Sequence, residues 1–310
     1  MKRPTRRTFI QAGAIAATAV ATGNAATGTR FRLGGPVPRK HAETPAGWVR
    51  EHQKLGYRAG SCRLDPKSSD ADVRAFAKAA TDADIVISEV PAFGVNPIST
   101  DDAERKQAIE TCAIKLDLAD RVGARCCVNT SGSRGKEWAG HDKGNLTEST
   151  FDLIVESVRA IIDAVKPTRS WYTLELMPWA LPDSIDSYVR FIKAVDRKGF
   201  GVHFDPVNII SSPQRYYSNA DIIRDGFKRL GPWMKSIHAK DILMADGKLT
   251  THLDEVLLGT GNLDYVTFVR ELRNFPDVPV MLEHLKTQEL YKLAADHIRG
   301  VAKSQGLSFE

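Results

Sequence analysis

Cysteine is scarce in this sequence: four in 310 residues, at Cys62, Cys112, Cys126 and Cys127, with no C-x-x-C pair. That spacing offers neither a disulfide framework nor a thiolate zinc knuckle, and buried thiols are expected. No G-x-G-x-x-G follows an apolar run, so the dinucleotide fingerprint of a doubly wound sheet is missing. The Gly- and Ser-rich stretch 128–135 lacks the Lys-Ser/Thr ending of a phosphate cradle and reads as a flexible mouth loop. No Pro/Gly/Ser tract, charge block or repeat divides the chain after residue 30. A strong charge of one sign is lacking too: the net +5 comes from 43 basic and 38 acidic side chains, and Lys2, Arg3, Arg6 and Arg7 carry most of the excess. The remainder is close to neutral, which leaves no electrostatic footprint for nucleic acid or a membrane surface.

What is present begins with a leader. Residues 1–26 run from a basic segment through an Ala-rich apolar one to small residues, and Thr5-Arg6-Arg7-Thr8-Phe9-Ile10 resembles the twin-arginine export signal. The apolar part is interrupted and too weak for a membrane span. The expectation is a soluble mature protein, delivered by the twin-arginine machinery to the periplasm or beyond the cell.

From residue 31 to 305, short apolar runs alternate with amphipathic stretches, as in strands joined by crossover helices. The runs fall at 31–34, 57–62, 84–90, 124–129, 171–176, 201–205, 234–238 and 278–283. Helical spacing covers 72–80, 101–122, 150–165, 184–198, 221–230 and 287–303. This is the arithmetic of a single α/β domain, a (β/α)8 barrel.

Barrel enzymes place their chemistry at strand C-termini. The fifth to eighth runs end in Glu175, Asp205, His238 and Glu283, each before a loop signal. Three carboxylates and an imidazole on neighbouring strands form a mostly oxygen set, suited to one divalent ion. Mn²⁺ ranks first, with Mg²⁺, Co²⁺ or Zn²⁺ as alternatives. Around them, His203 shares the facing of Asp205, and Lys240 and Asp241 follow His238. Asn129 closes the fourth strand, and Trp179, Trp138, Phe93 and His141 offer aromatic surface to a sugar ring. His284 is expected to turn away from the ion, and Arg134, Lys136 and Arg215 are the candidates for binding a phosphate.

LELMPW around Glu175, HFDPVN around Asp205, SIHAKD around His238, the turn LGTGNLDY and MLEH at Glu283 resemble the xylose-isomerase-like barrel superfamily. The likeness is to its sugar isomerase and epimerase branch, which includes ketose 3-epimerases and inosose dehydratases. The resemblance implies a divalent ion held by Glu175, Asp205, His238 and Glu283, with the two glutamates also exchanging protons with the carbon beside a carbonyl through an enediolate. Several ketose epimerases carry a histidine where this chain has Asn208, so Asn208 is a candidate substrate contact of altered chemistry. Isomerisation or epimerisation of a carbohydrate is the leading expectation, and elimination from a keto-sugar or keto-glycoside is the close alternative. An apurinic-endonuclease-like phosphodiesterase or a non-catalytic sugar-binding protein is remote. A homo-oligomer remains open.

Overall fold

The computed structural model describes residues 30–310, and the leader expected over 1–26 lies outside the described residues. Nine short parallel strands make the barrel wall: β1 (Leu33–Gly34), β2 (Ala59–Gly60), β3 (Val86–Ile87), β4 (Glu89–Pro91), β5 (Cys126–Asn129), β6 (Trp171–Glu175), β7 (Phe200–Phe204), β8 (Met234–Ala239) and β9 (Val280–Leu282). Around the wall they run β3-β2-β1-β9-β8-β7-β6-β5-β4, every neighbour parallel. β3 and β4 are separated by Ser88 alone, so they form one stave, and each apolar run of the sequence supplies one stave of a nearly closed ring.

Outside lie α1 (Pro45–Lys54), α2 (Asp70–Asp82), α3 (Asp102–Val122), α4 (Glu148–Val165), α5 (Ile185–Val195), the short α6 (Pro213–Tyr217), α7 (Asn219–Leu230), α8 (Tyr265–Leu272) and α9 (Gln288–Ser304). Local chemistry sets their ends. Asp101, Thr147 and Thr287 cap α3, α4 and α9 by accepting from backbone N–H groups, Ser184 and Ser187 form a capping box on α5, and Gly123 closes α3 in the left-handed region at φ +75°. The core lies between helices and barrel, where Leu116, Tyr188, Phe191, Phe227 and Phe268 are fully buried. Burying side chains of this size contributes roughly 1.5–3 kcal/mol each.

Two local devices aim the functional strands. The Tyr188 hydroxyl accepts from Leu174 N–H (3.1 Å) and directs its one proton to the Leu174 carbonyl (2.6 Å), with the Gly201 carbonyl also in reach at 3.0 Å, which ties β6 to β7 just below the mouth. The β7–β8 register shifts between Val202 and His203, so His203 faces Ser236 and Lys235 is skipped. Because side chains alternate along a strand, that one-residue step brings His238 inward in line with Asp205.

The sequence reading departs from the structure in places. Beyond His238 the chain makes an antiparallel ribbon, Asp241–Met244 against Leu253–Val256, where a loop was expected. α1 escaped the helical pattern because Pro45 and Gly47 read as turn residues, although proline suits a first helical position. The stretch 128–135 is not a flexible loop: Asn96 brackets Ser133, accepting from its N–H and donating to its carbonyl, and Arg134 N–H donates to Asn145. All four cysteines are buried free thiols, as expected.

Candidate metal centre

Glu175, at the end of β6, Asp205, just past β7, His238 in β8 and Glu283, just past β9, converge at the barrel mouth. One ligand-type atom from each lies within 4.8 Å of the others. His238 turns Nδ1 towards this point, 3.1 Å from Glu175 Oε1, 3.0 Å from Glu283 Oε2 and 3.9 Å from Asp205 Oδ2. Asp205 uses its two oxygens differently. Oδ1 accepts from the backbone N–H groups of Val207 (3.0 Å) and Asn208 (3.2 Å), which fixes the carboxylate and leaves Oδ2 facing the cluster.

Glu283 Oε2 and Asp205 Oδ2 are buried acceptors without a hydrogen-bond donor of good geometry. Such atoms are costly unless something positive meets them. Lys240 meets part of the need: its ammonium, 2% exposed, lies 2.9 Å from Asp205 Oδ2, 3.1 Å from Glu255 Oε1 and 3.4 Å from Glu283 Oε2, and donates to Asn208 Oδ1 at 2.8 Å. Burial opposes a charged imidazole at His238, yet Glu283 and Glu175 hold its pKa well above the usual value. Burial, together with Glu175 and Glu283, pushes the Asp205 carboxyl up to about 6 against the pull of Lys240. Burial would also raise Glu283, but His238 and Lys240 hold it below the usual carboxylate range. The cluster draws protons because it is built for positive charge. Its orphaned oxygens and hard donor set fit a divalent cation, which would take the place of the His238 proton.

A layer below, Glu89 is fully buried, with Oε2 at 3.5 Å from His203 Nε2 and 3.7 Å from His238 Nε2. Burial alone would raise its pKa, but the two imidazoles pull it down to about 2. Glu89 was not on the sequence list, yet it ends the third apolar run as Glu175 ends the fifth. The strand-end rule applied to all eight runs would have found it. A carboxylate behind a ligating imidazole fixes its tautomer and orientation. Glu89→Gln should therefore weaken divalent-cation binding at the cluster by about 10–100-fold, read in a calorimetric titration of the metal-free chain with Mn²⁺ as the probe. Unchanged affinity would mean that His238 is held by packing alone.

The remaining expected residues separate into those that join the cluster and those that do not. Asn208 bridges it: Nδ2 donates to Glu175 Oε1 (3.2 Å) and the Leu176 carbonyl (3.0 Å), while Oδ1 accepts from Lys240. Asp241 is turned away from the mouth. Its carboxylate accepts from the N–H groups of Ile242, Gly259, Gly261 and Leu263, so it anchors the LGTGNLDY turn instead of contacting substrate. His203 is a barrel-layer residue, fully buried with its ring edge-on to His238 at 4.1 Å, and does not line the mouth. Asn129 is also fully buried and donates to Cys112 Sγ on α3, away from the mouth. Trp179 is half-buried, and its carbonyl accepts from Asn145. Phe93 and Trp138 pair at 6.5 Å. His284 does not turn away: its Nδ1–H donates to Glu255 Oε2 (2.8 Å), with Nε2 3.4 Å from Glu283 Oε1. Glu255 arrives on the unexpected ribbon, where no strand-end signal marks it. Arg134 and Arg215 donate to the carbonyls of Ile98 and Ile209 and form no phosphate cradle.

A cavity of about 120 Å³ opens beside the cluster, and Glu89, His238, Glu283, Ser61, Arg63 and Phe93 are among the residues that line it. No helix among the described residues is long and apolar enough to cross a membrane.

Comparison with known proteins gives the same architecture. Residues 49–301 match the model of a family described as xylose isomerase-like TIM barrel. Among solved structures, a 3-keto-D-glucoside 4-epimerase from E. coli superposes with a TM-score of 0.65 at 13% identity, covering 87% of this chain and 100% of its own. A probable 3-DHS dehydratase from Bacillus anthracis gives 0.63 at 18% identity, covering 86% and 97%. A xylose isomerase-like TIM barrel protein from Mycobacterium smegmatis, in complex with magnesium, gives 0.60 at 17%, covering 89% and 95%. The search of curated proteins finds no match.

Proposed function

The chain belongs to the xylose isomerase-like TIM barrel family, and from that premise we propose that it is a divalent-metal-dependent carbohydrate isomerase or epimerase. The observation that carries the reading is the convergence of Glu175, Asp205, His238 and Glu283 at the mouth, with an open cavity beside them. A divalent ion held by these four residues would supply a fixed positive charge that polarises a substrate carbonyl and makes the adjacent C–H more acidic. Glu175 and Glu283 enter the cluster from β6 and β9, which β7 and β8 separate, so one carboxylate can take a proton while the other returns one. Asn208 holds Glu175 and Lys240 in register, and Asp205 with its backbone donors fixes the floor. Mn²⁺ is our first choice of ion, from the hard oxygen-rich set.

Elimination begins with the same proton removal, and the fold neighbours include a protein titled a probable dehydratase as well as epimerases. Incubation of the manganese-loaded chain with ketoses and keto-glycosides in deuterated water tests both readings. Deuterium at the carbon beside the carbonyl of an intact sugar is the expected result, and an unsaturated or cleaved product would move the assignment to a lyase. Absence of both turnover and exchange across the panel would overturn the reading. The twin-arginine-like leader, read from sequence alone, supports export of the folded protein.

The pKa shifts give a second check. In the metal-free chain His238 sits well above its usual value and Asp205 is raised to about 6, so the folded chain takes up protons that a cation must displace. Mn²⁺ affinity should therefore rise with pH, steeply through about pH 6 and further above it. Affinity independent of pH between 5 and 8 would show that these two side chains are not ligands.

A further inference from the structure

One layer below the metal centre, Glu89, His203 and His238 each offer a ligand-type atom, and the three atoms lie within 4.8 Å of one another. Their side chains are 3%, 0% and 4% exposed. Glu89 Oε2 and both ring nitrogens of His203 have no hydrogen-bond partner among the described residues, and neither has the hydroxyl of Ser236, the register partner of His203 on β8. Polar groups left unmet at this depth are costly, and several in one layer call for an occupant.

The spacings indicate which occupant. Glu89 Oε2 lies 3.5 Å from His203 Nε2 and 3.7 Å from His238 Nε2. Direct hydrogen bonds would bring these atoms to about 2.7–3.2 Å, and a water bridging them at tetrahedral angles would hold them about 4.5 Å apart. Ligands of one tetrahedral zinc ion, at about 2.0–2.1 Å from the metal, stand about 3.3–3.4 Å from each other. The observed distances fall closest to that last case. Two imidazoles and a carboxylate are a zinc donor set, and the cavity that Glu89 and His238 line gives an ion its entry and a water for the fourth position.

Charge points the same way. At the mouth, a divalent ion and Lys240 balance Glu175, Asp205 and Glu283, which leaves the Glu89 carboxylate unbalanced in a dry layer while the imidazoles are neutral. We propose that Glu89, His203 and His238 form a second cation site, nitrogen-rich and selective for Zn²⁺ or Co²⁺, and that His238 joins the two centres, Nδ1 to the upper ion and Nε2 to the lower. With both ions bound His238 gives up both ring protons, and the resulting imidazolate and Glu89 together neutralise the second divalent charge. Glu89 orients His238 while the upper ion is alone and becomes a ligand when the lower one enters. The site needs only the placement of β4, β7 and β8, not the sugar chemistry proposed above.

Co²⁺ is the probe, because its visible absorption reports coordination number: four-coordinate cobalt absorbs intensely, and cobalt in an oxygen-rich site with open positions absorbs weakly. Titration of the metal-free full chain, with metal content measured after dialysis, should give two ions per chain, one of them intensely absorbing. Asp205→Asn should lose the weakly absorbing ion and keep the intense bands. His203→Gln should lose the intense bands and keep the other ion. One ion per chain in the parent means that water fills the layer and overturns the proposal, whatever the stability of the variants. Two ions without intense bands, or intense bands that survive in His203→Gln, place the second ion elsewhere and overturn it as well. The two readings fail separately: two ions bound as described without any deuterium exchange uphold the lower site and remove the proton-transfer chemistry, while exchange with a single ion removes the lower site alone.

Discussion

Glu283→Gln and, separately, Glu175→Gln should each lower kcat by about 10²–10⁴-fold, the range for loss of a positioned acid–base group. Glutamine preserves the volume and an oxygen donor, but it cannot accept and return a proton at neutral pH. The two variants should also differ from each other. If each carboxylate serves one face of the reacting carbon, Glu175→Gln leaves Glu283 able to exchange deuterium into one epimer, and Glu283→Gln leaves the opposite epimer exchanging. Conversion between epimers stops in both. A purely ligating role would reduce exchange and conversion together and would show as lost manganese. Metal content measured alongside exchange separates the cases, and full turnover by both variants would sink the two-carboxylate scheme.

The four converging residues were legible because a parallel barrel turns sequence into geometry simply: a polar residue that ends an apolar run lands at the mouth. Glu175, Asp205, His238 and Glu283 all obey that rule. His203 and Asn129 show its limit. Both sit in or beside a strand end, but strand parity and depth place His203 one layer under His238, and Asn129 against Cys112. Depth depends on register, and the β7–β8 register contains a shift that no local pattern announces. Asp241 illustrates a different difficulty. A carboxylate beside a ligand invites a role in chemistry, while its four backbone donors come from residues 242–263, a long-range contact that sequence adjacency hides. Glu255 was illegible for the same reason: the ribbon that carries it is defined by pairing, not by periodicity.

Lys240→Met should destabilise the metal-free chain by about 3–5 kcal/mol, the usual cost of removing one member of a buried ionic group. Methionine fills the space of the alkyl stem but leaves Asp205 Oδ2, Glu283 Oε2 and Asn208 Oδ1 without the ammonium they now face. At about 2–4 °C per kcal/mol for a large domain, the melting temperature should fall by roughly 6–20 °C. Charge balance makes the loss dependent on the ion. Three carboxylates around a divalent cation leave one negative charge, which Lys240 neutralises, so saturating Mn²⁺ should recover part of the stability without restoring all of it. The pH dependence has a definite sign. Asp205 already has a folded pKa raised to about 6 against the pull of Lys240, and a raised value means stability that is lost as pH increases through it. Without the ammonium that value rises further, so the gap between parent and variant should widen as pH climbs above 6. Melting curves at pH 5 and pH 8, with and without Mn²⁺, test this directly. An unchanged melting temperature in all four conditions would mean that the Lys240 ammonium lies outside the cluster in solution.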